Sequence, residues 1–290
     1  MPTPTALYHY CSNDAFVSVV NSRSVWLSSL TLSNDSMEGR LVNATVMRVA
    51  ERDKLDVNSQ QRLRESLEFS ERFFDGLGFC LSEEGDLLSQ WRGYADDARG
   101  VAIGFGKTYL DALAVTSKSS SAAGFVVHKV EYEPTRQEAL VEPTYAEIRK
   151  LIAAGAFRRP GLQSLLDSRT QEQIGSDDKE IQAANRELII RLRDFLPMLF
   201  QLKAEAFREE REWRLVSMLG GRKFEDCLFR SSRGKIIPYR SFQLQDLGRP
   251  PITDVVLGAK NETPTPVVES MLAQAGLTDV RVWRSRSTYR

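Results

Sequence analysis

The stretch at 207–217, FREEREWRLVS, decides how the chain is read. A charged, helix-favouring run passes within a few residues into a strand pattern. From Glu210 the side chains alternate, with Glu210, Glu212, Arg214 and Val216 on one face and Arg211, Trp213, Leu215 and Ser217 on the other. Two carboxylates and a guanidinium then point the same way, at the entrance to a strand whose apolar residues belong to a core. Such a strand can hold a carboxylate rigidly at a cleft. The competing reading is that Glu210 and Glu212 are solvated at a strand entrance and paired with Arg211 or Arg214, as most charged residues at element ends are.

Working outward, the whole chain of 290 residues is long enough to bury a substantial core. Hydrophobic residues make up 42% and charged residues 27%, an ordinary globular composition. Lys+Arg and Asp+Glu both number 39, and this balance argues against a global positive field that grips nucleic acid. Cys11, Cys80 and Cys227 are widely spaced, with no C-x-x-C pair, which fits a reducing compartment and no metal cluster. Only His9 and His128 are present, so a multi-histidine metal site is excluded. The N-terminus lacks a signal-peptide pattern and no window reaches the length of a membrane span, so a cytoplasmic protein without membrane contact is expected.

In chain order, strands are expected at 6–11, 24–28, 79–81, 101–105 and 125–132, with Leu7 and His9 on one face of the first and Tyr8 and Tyr10 on the other. Ser12-Asn13-Asp14 caps a first helix. The turn-rich loop 33–39 carries Asn34, Asp35 and Glu38, which can ligate a cation or hydrogen-bond a ribose; Asn-Asp ahead of a helix is equally a capping signal. Residues 60–74 form an amphipathic helix, broken by Gly76-Leu77-Gly78. The helix at 86–95 sets Trp91 and Tyr94 at helical spacing, a pattern found more often in cores than in cofactor platforms. SKSSSAA at 117–123 reads as a mobile loop. From 134 to 206 the pattern is helical, and short strands return at 227–230, 234–240, 252–258 and 280–283. One α+β domain spanning 1–290 is expected, with a helical insertion at about 134–206.

No phosphate-binding loop, dinucleotide fingerprint, nucleophile elbow or H-E-x-x-H motif is present, which removes the commonest kinase, dehydrogenase, hydrolase and metalloprotease readings. What remains is His9 on the first strand, Ser82 after a middle strand with Trp91 and Tyr94 close behind, and Glu212 on a late strand. Together with LYHYCS (7–12), WLS (26–28), NDSMEG (34–39), FCLSE (79–83), WRGYA (91–95), GVAIGF (100–105) and EREWR (210–214), these segments resemble, in their order, a widespread bacterial family of unknown function. That family is itself similar to the ADP-ribosyltransferase superfamily.

The resemblance implies a split, small mixed β-core with flanking helices around a nicotinamide dinucleotide, NAD, used as a substrate. By motif, it assigns His9 to a ribose, with Tyr10, Asn34 and Arg214 as further contacts to the dinucleotide. Ser82 with Phe79, Trp91 and Tyr94 is assigned to the nicotinamide pocket, Glu212 becomes the catalytic carboxylate and Glu210 its partner. Arg214, Lys203 or Arg92 would neutralise the pyrophosphate. No metal is required. Breaking the nicotinamide–ribose bond develops an oxocarbenium-like sugar, which a carboxylate stabilises more than the ground state. The resemblance further implies a toxin or phage-defence role, with a protein or nucleic-acid acceptor and a possible antitoxin or other partner protein. Two other classes remain open: a non-catalytic nucleotide-sensing or partner-binding module, and a cation-dependent phosphoesterase using Asp35, Glu38 and Glu212.

Overall fold

In the computed structural model the described residues are 4–32, 39–120, 124–158, 170–220, 224–232 and 234–289. The chain divides into two compact units. The first comprises residues 1–34, 75–130 and 206–290, and the second comprises 35–74 and 131–205. The predicted helical stretch at 134–206 thus falls almost wholly in the second unit, where it is joined by the earlier segment 35–74.

The first unit is built on a ten-stranded mixed sheet. Its strands are β1 (Ala6–Cys11), β2 (Ser24–Ser29), β3 (Asp75–Ser82), β4 (Val101–Gly106), β5 (Val126–Lys129), β6 (Glu212–Leu219), β7 (Leu228–Ser232), β8 (Lys235–Gln243), β9 (Ile252–Leu257) and β10 (Arg281–Arg284). Their order is β10-β9-β4-β1-β3-β2-β8-β7, with β6 added on β3 and β5 on β6. Among the described residues, four α-helices belong to the same unit: α1 (Asn13–Ser22), α4 (Leu88–Tyr94), α5 (Lys107–Ser120) and α8 (Thr265–Gln274). The alternation of β1 is as the sequence predicts: Leu7 and Cys11 enter the main core with Val25, Leu27, Phe79, Ile103 and Leu215, whereas Tyr10 packs on the other side with Trp91 and Ala102. Ser12 caps α1, its hydroxyl accepting from the Ala15 amide at 3.3 Å.

β3 is the strand where the sheet divides. Along one edge all eight of its residues pair with β6, from Asp75↔Leu219 to Ser82↔Glu212. On the opposite edge it holds two different strands, β2 at Leu77 and Gly78 and β1 at Ser82. The sheet therefore forks between β1 and β2, with one wing of β1, β4, β9 and β10 and another of β2, β8 and β7.

The sequence predicts a helix broken at Gly76-Leu77-Gly78 and a strand from Phe79, whereas the strand starts at Asp75. Glycine there serves close packing: a Cβ on Gly78 would lie 2.5 Å from the Leu30 side chain. The predicted mobile loop at 117–123 is also displaced. Helix α5 continues to Ser120, and 121–123 lie outside the described residues.

The second unit packs α2 (Leu41–Arg52), α3 (Val57–Phe73), α6 (Pro134–Ala153) and α7 (Gln171–Arg193). Val42, Val46, Leu63, Val141, Tyr145 and Leu188 are buried there. Arg48–Glu138 at 3.3 Å, Arg52–Glu142 at 2.7 Å and Asp53–Arg149 at 3.0 Å line its surface. Exposed pairs of this kind add little to stability, so the buried apolar residues hold this unit together.

Candidate functional site

Ser82 stands at the junction of three strands, opposite Tyr8 on β1 and opposite Glu212 on β6. Directly opposed residues share a face, so Tyr8, Ser82, Glu212 and Arg214 project from the same side of the sheet. Their environment is closed. Ser82 is 1% exposed, Glu212 5% and Arg214 1%. Arg214 donates from Nε to Glu212 Oε1 and from Nη2 to Glu212 Oε2, each at 2.8 Å, a two-pronged ion pair inside the protein.

The expected alternation from Glu210 begins two residues late. Glu210 ends a 3₁₀ turn at Glu205–Glu210, and Arg211 adopts a left-handed φ of 43°, so regular strand geometry starts only at Glu212. Glu210 instead receives the Tyr94 hydroxyl at Oε1, 3.4 Å away, and its backbone carbonyl accepts from Ser82 Oγ at 2.7 Å. The Ser82 hydroxyl in turn accepts from the Glu84 amide at 3.1 Å.

Neighbouring contacts lace the same two segments together. Trp213 Nε1 donates to Glu83 Oε1 at 2.8 Å, and Lys129 reaches the same oxygen at 2.7 Å. Burial pushes the Glu83 pKa up, but these two donors outweigh it and hold the carboxyl below its usual range. Arg211 pairs with Glu84, and Ser89 donates to Glu209 at 3.3 Å.

His9 leaves β1 on the core side, where its ring stacks on Phe79 at 4.0 Å. It fills the mouth of the fork: Nδ1 lies 2.8 Å from the Cys80 carbonyl. A carbonyl only accepts, so Nδ1 carries the proton. Burial drives the pKa down to about 4, with the Cys80 hydrogen bond opposing and the Arg230 charge assisting. At neutral pH the imidazole is therefore uncharged, with Nε2 as an acceptor.

The folded pKa lies below the usual 6.5, so the unfolded chain takes up a proton that the fold refuses. Stability from this site is complete above about pH 6.5 and declines as pH falls toward 4, by up to ~3 kcal/mol. Urea unfolding of the wild type and His9→Asn at pH 7 and pH 4 should show this extra acid loss in the wild type only, because Asn keeps a donor to Cys80 without titrating.

The predicted site residues thus separate into groups. Ser82, Glu212 and Arg214 are together, with Glu210 and Tyr94 adjoining. His9 and Phe79 lie on the opposite face of the same strands. Tyr10 and Trp91 belong to a core: Tyr10 is 4% exposed, its hydroxyl donating to the Glu84 carbonyl at 2.8 Å and accepting from the Leu87 amide at 2.9 Å. Trp91 is fully buried, and its Nε1 donates to Asp86 at 2.8 Å. Neither presents a surface to a ligand in this conformation. Asn34 lies outside the described residues, as do Asp35 and Glu38.

A family model for a protein of unknown function (DUF2971) matches residues 90–215, from α4 into β6. The chain is similar to that family. The match takes in Trp91, Tyr94, Glu210, Glu212 and Arg214, and it leaves out β1 and β2. No curated protein and no solved structure matches the chain.

Sequence reasoning missed Tyr8, Ser28 and Arg230. Tyr8 faces Ser82, and its ring lies so close to Gly85 that a Cβ there would fall 2.6 Å from it. Arg230 donates to Ser28 Oγ from Nε at 3.3 Å and Nη2 at 3.2 Å. Only the β2–β8–β7 order brings these residues beside the fork, and no local pattern announces it. The cysteines form no disulfide. Among the described residues no group of three or more His, Cys, Asp or Glu is placed to hold a metal, and no helix is long and apolar enough to cross a membrane.

Proposed function

We propose that the protein binds a nicotinamide dinucleotide and cleaves its nicotinamide–ribose bond, passing ADP-ribose to an acceptor or to water. The observation that carries this reading is Ser82 and Glu212 side by side across β3 and β6, at the fork where β1 and β2 part along the other edge of β3. The first strand and a late strand flank the middle strand here, with β1 and β6 on opposite edges of β3.

In this reading the Glu-x-Glu pair supplies the negative charge that offsets the oxocarbenium-like sugar. Glu212 is fixed by Arg214, while Glu210 lies at the less buried end beside Tyr94. The carboxylate in place before reaction costs no reorganisation when charge develops, and the same group can orient an incoming nucleophile. No step needs a metal.

The test is release of nicotinamide from NAD by the purified protein in the presence of chelator. Wild-type release, reduced about 100-fold or more in Glu212→Gln and Glu210→Gln, is the expected result, with unfolding temperatures recorded for both variants. Wild-type protein that releases no nicotinamide overturns the reading. The fate of the ADP-ribose, followed on protein, nucleic acid or in solution, identifies the acceptor class.

A second reading has one observation in its favour: both oxygens of Glu212 are taken by Arg214 in a nearly closed site. A non-catalytic nucleotide-binding module would keep such a pair for its structure alone. It predicts dinucleotide binding that survives Glu212→Gln with no cleavage in either protein.

A further inference from the structure

The second wing of the fork carries a set of side chains that neither the transferase reading nor the ion pair uses. Ser28 on β2 is opposite both Gly78 and Tyr239, which sets it on the same sheet face as Ser82. Trp26, two residues earlier, packs its ring against Tyr239 with centroids 4.7 Å apart. Arg230 comes from β7, and its guanidinium meets the Ser28 hydroxyl. All four residues are partly exposed.

Arg230 is unusual for a half-buried cation. Its hydrogen bonds go to a neutral hydroxyl, and among the described residues no carboxylate lies within ion-pair distance of it. Burial holds its pKa below the ordinary arginine range, with the Tyr239 phenol working the other way. Its charge is felt at His9, so it stands beside the fork and not on a remote edge. A partly desolvated guanidinium without an anion is costly, and binding an anion from solution removes that cost. Ser28 adds to this: an oxygen that accepts from Arg230 keeps its own hydrogen to donate. Next to this pair of donors, the Trp26–Tyr239 surface offers planar, apolar area of the kind on which a base stacks.

We propose that Arg230, Ser28, Trp26 and Tyr239 form a subsite for a nucleoside phosphate, with the phosphate held by Arg230 and Ser28 and the base set against the aromatic pair. This goes beyond the cleavage reading, because a nucleoside diphosphate is bound here whether or not any glycosidic bond is broken.

Isothermal titration with ADP, adenosine and inorganic pyrophosphate separates the two halves of the subsite. Wild-type protein is expected to bind ADP saturably and more tightly than either fragment. Arg230→Gln should weaken ADP by about tenfold or more and abolish pyrophosphate binding, leaving adenosine unchanged. Trp26→Leu should weaken ADP and adenosine but not pyrophosphate. Arg230→Lys, which keeps the charge but not the fork of donors, should fall between wild type and Arg230→Gln. Unfolding temperatures of the variants show that binding is being read on folded protein, and Arg230 on an edge strand tolerates exchange. Absence of saturable ADP binding, ADP binding unchanged in Arg230→Gln, or pyrophosphate binding as tightly as ADP would each overturn the proposal. Nicotinamide release is a separate readout, so ADP binding without cleavage retains the subsite and rejects the transferase.

Discussion

Arg214→Met is expected to destabilise the protein by about 3–5 kcal/mol, the cost of removing one partner from a buried ion pair. Glu212 is 5% exposed, and both its oxygens receive hydrogens from this guanidinium. Taking the guanidinium away leaves a carboxylate with water largely excluded and two fewer donors. Met fills most of the volume, so the loss is electrostatic and not a cavity. The pair Glu212→Leu with Arg214→Met should recover part of the stability, because buried pairs replaced together by apolar groups lose attraction and desolvation cost at once. Urea unfolding of the wild type, the single variant and the double variant measures this. A single variant within 1 kcal/mol of wild type would mean that the pair is solvated in solution, and Glu212 would then be far more available to a substrate than its geometry indicates. The same experiment protects the functional test, since an inactive Glu212 variant is informative only if it is folded.

Much of the first unit was legible because its strands are short, apolar and alternating. β1, β4 and β9 lie within a residue of their predicted bounds, and Ser12 caps as its type suggests. Two local signals misled. Gly76 and Gly78 look like breakers but sit within β3, and at Gly78 the side chain of Leu30, distant in sequence, needs the space. The Glu-x-Glu alternation assumes extended backbone from Glu210, and Arg211 leaves it by turning left-handed, which no periodicity announces.

The site was legible only in part, for a topological reason. Adjacency of β3 and β6 puts Ser82 beside Glu212, whereas the sequence joins these two residues only through the family resemblance. Which face each side chain takes depends on register, and a shift of one residue reverses it. His9 alternates with Tyr8, and it is Tyr8 that opposes Ser82. Arg230 was invisible because its neighbours Ser28 and Tyr239 are brought to it only by the pairing of β2, β8 and β7.

Trp91→Ala is the second large effect, an expected loss of about 3–5 kcal/mol from emptying a fully buried aromatic position. Its ring packs edge-on against Tyr10 at 4.8 Å, and Ala95, Ala98 and Val256 complete the cluster. Asp86 would lose the indole donor while keeping the Arg286 amide at 2.7 Å and the Ser285 hydroxyl. Trp91→Phe removes the donor but fills most of the space, so about 1 kcal/mol should separate it from wild type. The contrast decides between core and cofactor platform. A residue that lines a pocket costs little stability when truncated and much ligand affinity; one that is sealed in a core does the reverse. Tyr94 complicates the reading in a useful way, because it lies on the same short helix as Trp91 and reaches Glu210. On the transferase reading proposed above, Trp91→Ala should also weaken nicotinamide release by loosening α4, and Trp91→Phe should restore it. On that reading, nicotinamide release that needed the indole itself and not the packing, with Trp91→Phe folded yet inactive, would return Trp91 to the ligand.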